Sequence, residues 1–176
     1  MQKSKTKVTP KFLSVCAVMA AFSIVLGKYL AVNIGENFRF SLENLPLILT
    51  GLYFGPAAAA FVGAAADLVG CLMVGYAINP IITFGAVCIG FFAGIAGIII
   101  KKNSSLRIFS ALVLSHGIGS VLIKTLGLYI YYGSPFFATL GWRFLIYLGT
   151  GLVEFAILFL LTKNRSFEKQ MHSFFC

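Results

Sequence analysis

Residues 40–85 read FSLENLPLILTGLYFGPAAAAFVGAAADLVGCLMVGYAINPIITFG, and this run decides the fold. It is almost wholly apolar and dense in small residues. It contains one acid in mid-run, Asp67, and one Asn79-Pro80 corner. A carboxylate in such a setting costs about 2.5–3.5 kcal/mol even on a lenient insertion scale, so it faces a partner or a cavity rather than lipid. The rest of the chain reads as helices gathered around this run.

Composition agrees. The 176 residues are 59% hydrophobic and 11% charged, with a mean hydropathy of +0.94. Such values belong to integral membrane proteins, because a soluble domain this short cannot hide so much apolar surface. The net charge of +9 does not make a nucleic-acid face, since most basic residues sit at chain ends and between apolar runs. Cys16, Cys71, Cys88 and Cys176 are scattered, with no CxxC or Cys/His spacing, which argues against a disulfide framework or a zinc site. The first apolar run is too long for a cleavable signal peptide.

The expected fold is all-α: a single domain over residues 1–176, a multi-pass bundle of six transmembrane helices. The predicted helices cover about Phe12–Val32, Asn44–Phe54, Ala57–Val74, Pro80–Ile100, Ile108–Tyr132 and Trp142–Thr162. Gly55-Pro56 and Gly75 to Asn79 read as turns. Pro80 suits a helix start, where its missing N–H costs nothing. Asn33 to Glu43 is the longest polar loop, Gly133 to Gly141 an aromatic loop, and a basic tail closes the chain.

Basic residues give the orientation. Lys3, Lys5, Lys7 and Lys11, then Lys101, Lys102 and Arg107, then Lys163, Arg165 and Lys169 fall on one side, against Arg39 on the other. Both termini are therefore predicted to be cytoplasmic, with the loops at 33–43, 75–79 and 133–141 facing outward.

Counted by depth, Asp67 and Lys124 lie about two turns below the outer surface. Asn79, Trp142 and Arg143 lie at outer helix starts, with Glu36, Arg39 and Glu43 above them. A polar cluster open to the outside is the shape of a binding cavity. Arg143, Tyr147, Thr150 and Glu154 form one stripe, and His116, Ser120 and Lys124 another, both expected to face the bundle interior. Asp67 and Lys124 could instead neutralise one another as a structural pair. His116 and Glu154 are read as a structural hydrogen-bonded pair, and Lys28 as snorkelling to the interface. Trp142 serves equally as part of an interfacial aromatic belt or as a stacking platform. Gly51-xxx-Gly55 and Gly90-xxx-Gly94 permit close helix contact. The segment GSVLIKT, Gly119 to Thr125, lacks the glycine before the lysine and lies in a membrane helix, so it is not a phosphate loop.

This pattern resembles a known family. A six-helix chain with a long outer loop, followed by LPLILTGLYFGPAAAAFVGAAADLVG, resembles the substrate-binding S-components of energy-coupling-factor (ECF) vitamin transporters. The run GCLMVGYAINPIITFGA is most similar to the folate-specific members. The resemblance implies a bacterial cell-membrane subunit that binds one vitamin outside and delivers it inside. Its implied partners are a transmembrane T-component and two cytoplasmic ATPases, docked through small residues on the first helix, here Ala17 and Ala21. It also implies that the loop Asn33 to Glu43 gates the pocket. For folate as ligand, Asp67 and Asn79 would read the pterin edge. Phe38, Phe40 and Trp142 would stack or cap, and Arg39, Lys124 and Arg143 would meet the carboxylates. No cofactor is implied. Competing readings are an S-component for riboflavin, thiamine or queuosine, a small membrane enzyme using Asp67, His116 and Glu154, and a ligand-free scaffold.

Overall fold

The computed structural model of the protein describes residues 9–34, 38–100 and 103–173, and their backbone is almost wholly helical. The elements in order are α1 Pro10–Tyr29, β1 Val32–Ile34, β2 Phe38–Phe40, α2 Asn44–Phe54, α3 Pro56–Val74, α4 Pro80–Ile99, α5 Ser104–Tyr132, α6 Phe136–Lys163 and α7 Arg165–Ser173. Five helices, α1, α3, α4, α5 and α6, are long and apolar enough to cross a membrane.

The sixth predicted span, α2, has 11 residues. At about 1.5 Å per residue it rises roughly 16 Å, half of the hydrocarbon thickness. It is instead the buried centre of the bundle, with Pro46 to Leu52 and Phe54 shielded from the surface. The all-α membrane architecture stands, built as five full-length helices around a short internal one.

Local chemistry sets the boundaries. The Thr9 hydroxyl accepts from Phe12 N at 3.3 Å, and Pro10 begins α1. Gly55 takes φ +87°, open to glycine alone at low cost, so α2 ends and α3 starts at Pro56 with no further linker. The Asn79 side chain caps α4 by accepting from Ile81 N and Ile82 N at 3.0 and 3.3 Å.

Small residues let the inner helices touch by their backbones. A Cβ on Gly63 would strike the Ala86 carbonyl, and one on Gly90 the Ala59 carbonyl, where α3 crosses α4. A Cβ on Gly51 would come within 2.7 Å of Ala93 Cβ, where α2 meets α4. Large side chains such as Phe22, Phe61, Ile99 and Leu152 point outward, as hydrocarbon solvent allows.

Four features depart from the sequence reading. The loop after α1 holds an antiparallel hairpin pairing Val32 with Phe40 and Ile34 with Phe38. Helix α6 starts at Phe136, directly after Pro135, so Trp142 and Arg143 lie about two turns inside it rather than at its start. The basic tail folds as α7, whose Phe167 meets the Tyr53 ring edge-on at 6.1 Å and whose Met171 is buried. Finally, α1 and α5 widen to π-type turns over Val25–Tyr29 and Ser115–Ile123.

Candidate functional site

At the hairpin end of the bundle, α1, α3, α5 and α6 surround a cavity of about 660 Å³. That volume suits a vitamin-sized ligand, since such pockets span about 300–1,000 Å³. Lys28, Glu43, Asp67, Tyr76, Lys124, Trp142, Arg143 and Tyr147 line it, together with Ser41, Tyr132 and Thr139.

Its charges are not equivalent. Lys124, 7% exposed, places Nζ 2.7 Å from Glu43 Oε1. Glu43 is fixed in turn, because Ser23 Oγ donates to its backbone carbonyl at 2.7 Å and it immediately precedes α2. Asp67 Oδ2 accepts from Thr83 Oγ1 at 2.7 Å, which ties α3 to α4. The two remaining cations stand on different walls. Lys28 of α1 lies 3.9 Å from Cys71 Sγ and 5.5 Å from the centre of the Tyr76 ring. Arg143 of α6 donates from Nε to the Ser120 carbonyl at 3.1 Å and from Nη2 to the Tyr147 hydroxyl at 3.2 Å. Among the described residues, neither cation has a carboxylate within 4.0 Å.

Of the residues singled out from sequence, Asp67, Lys124, Trp142 and Arg143 come together in this cavity. Trp142 is 53% exposed along the wall. Lys124 pairs with Glu43, not with Asp67, so the structural-pair alternative names the wrong acid. Asn79 does not line the cavity. Its oxygen caps α4 and its amide donates to the Gly127 carbonyl at 3.1 Å, so the whole side chain is committed to joining α4 and α5. Phe40 is half-buried at the end of β2, outside the cavity lining. The backbones of Phe38 and Arg39 belong to β2. Their side chains, and all of Glu36, lie outside the described residues. Ala17 and Ala21 are exposed on α1.

Sequence reasoning missed Lys28, which lines the cavity rather than snorkelling away from it. The available signal was its place about one turn before the hairpin, the same depth band as Asp67 and Lys124. Tyr76 and Tyr147 were likewise left out of the site, although Tyr147 lies one turn beyond Arg143 on the same helix stripe.

Beneath the cavity lies a second polar group. His116 Nε2 is 2.7 Å from Glu154 Oε2, as the structural-pair reading expects. Asn44 Nδ2 donates to Ser120 Oγ at 3.2 Å and approaches His116 Nδ1 at 3.5 Å. The Tyr147 ring stacks on the imidazole, with centres 5.0 Å apart.

A family model for the S component of the ECF-type riboflavin transporter matches residues 7–164. No curated protein matches the chain. Among solved structures, FolT bound with folic acid superposes with a TM-score of 0.73 at 24% identity, covering 89% of this chain and 96% of that one. The S-component for biotin from an ECF-type ABC transporter superposes with a TM-score of 0.69 at 18% identity, covering 100% of both chains. These two likenesses establish a shared fold. The family match spans most of the chain, and the family it names is one of transport subunits rather than enzymes: the chain belongs to the S components of ECF-type vitamin transporters.

Proposed function

We propose that this S component captures folate from outside a bacterial cell and hands it inward with a T-component and two ATPase chains. The observation that carries the reading is the pair Lys28 and Arg143, two cavity cations without a carboxylate partner among the described residues. An unneutralised cation at membrane depth is costly, and a ligand bearing carboxylates removes that cost on binding. Folate carries two carboxylates on its glutamate and a flat pterin at the other end. Asp67, with Oδ2 held by Thr83, presents Oδ1 to the pterin donors. Trp142 supplies a stacking face, with Phe38, Arg39 and Phe40 of the hairpin as a cover closing over the mouth. Lys124 serves less as a ligand group than as the anchor that holds Glu43, and with it the base of the hairpin, against α5.

Riboflavin is the second reading, favoured by the family model. An uncharged isoalloxazine would use Trp142 and the tyrosines and leave both cations idle. Calorimetry of the purified protein in detergent with each vitamin separates the two. Folate binding at one site, lost with Arg143→Ala, supports the proposal. Riboflavin binding that is indifferent to Arg143→Ala replaces it.

A further inference from the structure

The orientation of Arg143 traces to groups deep in the bundle. Its Nε and Nη2 are anchored by the Ser120 carbonyl and the Tyr147 hydroxyl, and its guanidinium carbon sits 5.4 Å from the centre of the Tyr147 ring. Both anchors have fixed positions. Ser120 lies in the π-type stretch of α5, where widened turns loosen main-chain bonding and leave a carbonyl open to a side-chain donor. The Tyr147 ring lies nearly parallel to the His116 imidazole, with an interplanar angle of 26°.

The imidazole is held at both ends. The Asn44 amide and Ser120 hydroxyl face Nδ1, which leaves Nε2 to donate to Glu154. Glu154 and Ser120 are fully buried, Asn44 is 1% exposed and His116 6%. Neither His116 nor Glu154 lines the cavity. Glu154 lies eleven residues beyond Arg143 in sequence, about 16 Å along the helix, too deep to touch a ligand held at the hairpin end. Yet a buried carboxylate and imidazole are expensive in a membrane span, and a core of apolar side chains would stabilise the bundle at least as well. Their arrangement has a consequence that apolar side chains could not give. The imidazole stacks against the Tyr147 ring, whose hydroxyl anchors Nη2 of Arg143, while Nη1 is engaged by neither anchor.

We propose that Glu154, His116 and Tyr147 form a buried relay that orients the Arg143 guanidinium toward an anionic group of the bound vitamin. In this relay His116 and Glu154 are positioning residues that never touch the ligand. The inference rests on the folate reading and names how that ligand's charge is selected.

The experiment compares folate with its diamide, in which both glutamate carboxylates are uncharged, as ligands of the purified full chain. In the wild type folate binds more tightly than the diamide. His116→Leu and Glu154→Leu each reduce folate affinity about tenfold, the size of one hydrogen bond to a charged group, while diamide affinity holds. Glu154→Gln, which still accepts from the imidazole, restores the preference. Should a leucine variant not fold, Tyr147→Phe serves. It keeps the stacked ring, removes the hydroxyl anchor, and is expected to narrow the folate preference by a similar factor. Equal losses for folate and diamide would make the relay plain scaffold and overturn the proposal, as would unchanged affinities for both. A wild type that binds riboflavin and not folate overturns the folate reading and the relay's anion role together. Wild-type folate binding with an unmoved preference in the variants overturns the relay alone.

Discussion

On the proposed folate reading, Lys28 and Arg143 set the ligand chemistry and Lys124 does not. A hydrogen bond from a charged group contributes about 1.5–3 kcal/mol. Lys28→Ala and Arg143→Ala are therefore expected to weaken folate binding about ten- to hundredfold each, read by calorimetry. Lys124 predicts a different result. Removing it takes away the ammonium that Glu43 holds at 2.7 Å inside the bundle. Lys124→Met should lower the thermal midpoint in detergent by roughly 5 °C, and Lys124→Met combined with Glu43→Leu should recover most of that loss. A double variant no more stable than the single one would show that the ion pair is not what holds the hairpin base. Sequence depth placed Asp67 and Lys124 about two turns down and Trp142 and Arg143 at an outer helix start, and the four do share a cavity. It could not pair the charges, because Glu43 lies 81 residues from Lys124 and only the bundle brings them together.

At the scale of the element, the inner crossings depend on glycine. A side chain on Gly63 or Gly90 meets a backbone carbonyl, which cannot rotate away. Gly90→Val should cost about 1–3 kcal/mol by overpacking, seen as a lower thermal midpoint with ligand stoichiometry unchanged. Wild-type stability in this variant would mean that α3 and α4 can separate without loss. Element boundaries marked by Gly-Pro or Asn-Pro were legible, and α2, α3 and α4 begin and end within a residue of the sequence expectation. Gly141 misled the reading because glycine is tolerated inside membrane helices, so α6 runs on through it from Phe136. The hairpin and the π-type turns left no such mark. The first depends on pairing across a loop, and the second on which carbonyls and side chains a neighbouring helix offers. The tail helix α7 was hidden because only two anchors, Phe167 and Met171, dock an otherwise polar and charged stretch.

At the scale of the whole molecule, the proposed reading puts ligand capture and partner docking on separate surfaces. Ala17 and Ala21 lie exposed on α1, away from the cavity lining. Ala17→Trp or Ala21→Trp should block close approach of a T-component helix, so vitamin uptake by cells carrying the complete transporter falls while folate affinity of the purified chain is unchanged. Uptake that survives both changes would move the docking face elsewhere. The family was legible in the 40–85 run, because dense small residues around one acid encode backbone contact beside a polar cavity. Its ligand was not, since one fold hosts different vitamins on the strength of a few lining side chains. The central claim is that Lys28 and Arg143, neither with a carboxylate within 4.0 Å among the described residues, mark an anionic vitamin. The most direct measurement is a folate titration of the purified wild type and of Arg143→Ala, followed by Trp142 fluorescence and calorimetry. Saturable one-to-one binding by the wild type, sharply weakened in the variant, is the predicted result. Equal binding by both, or riboflavin binding in place of folate, would contradict it.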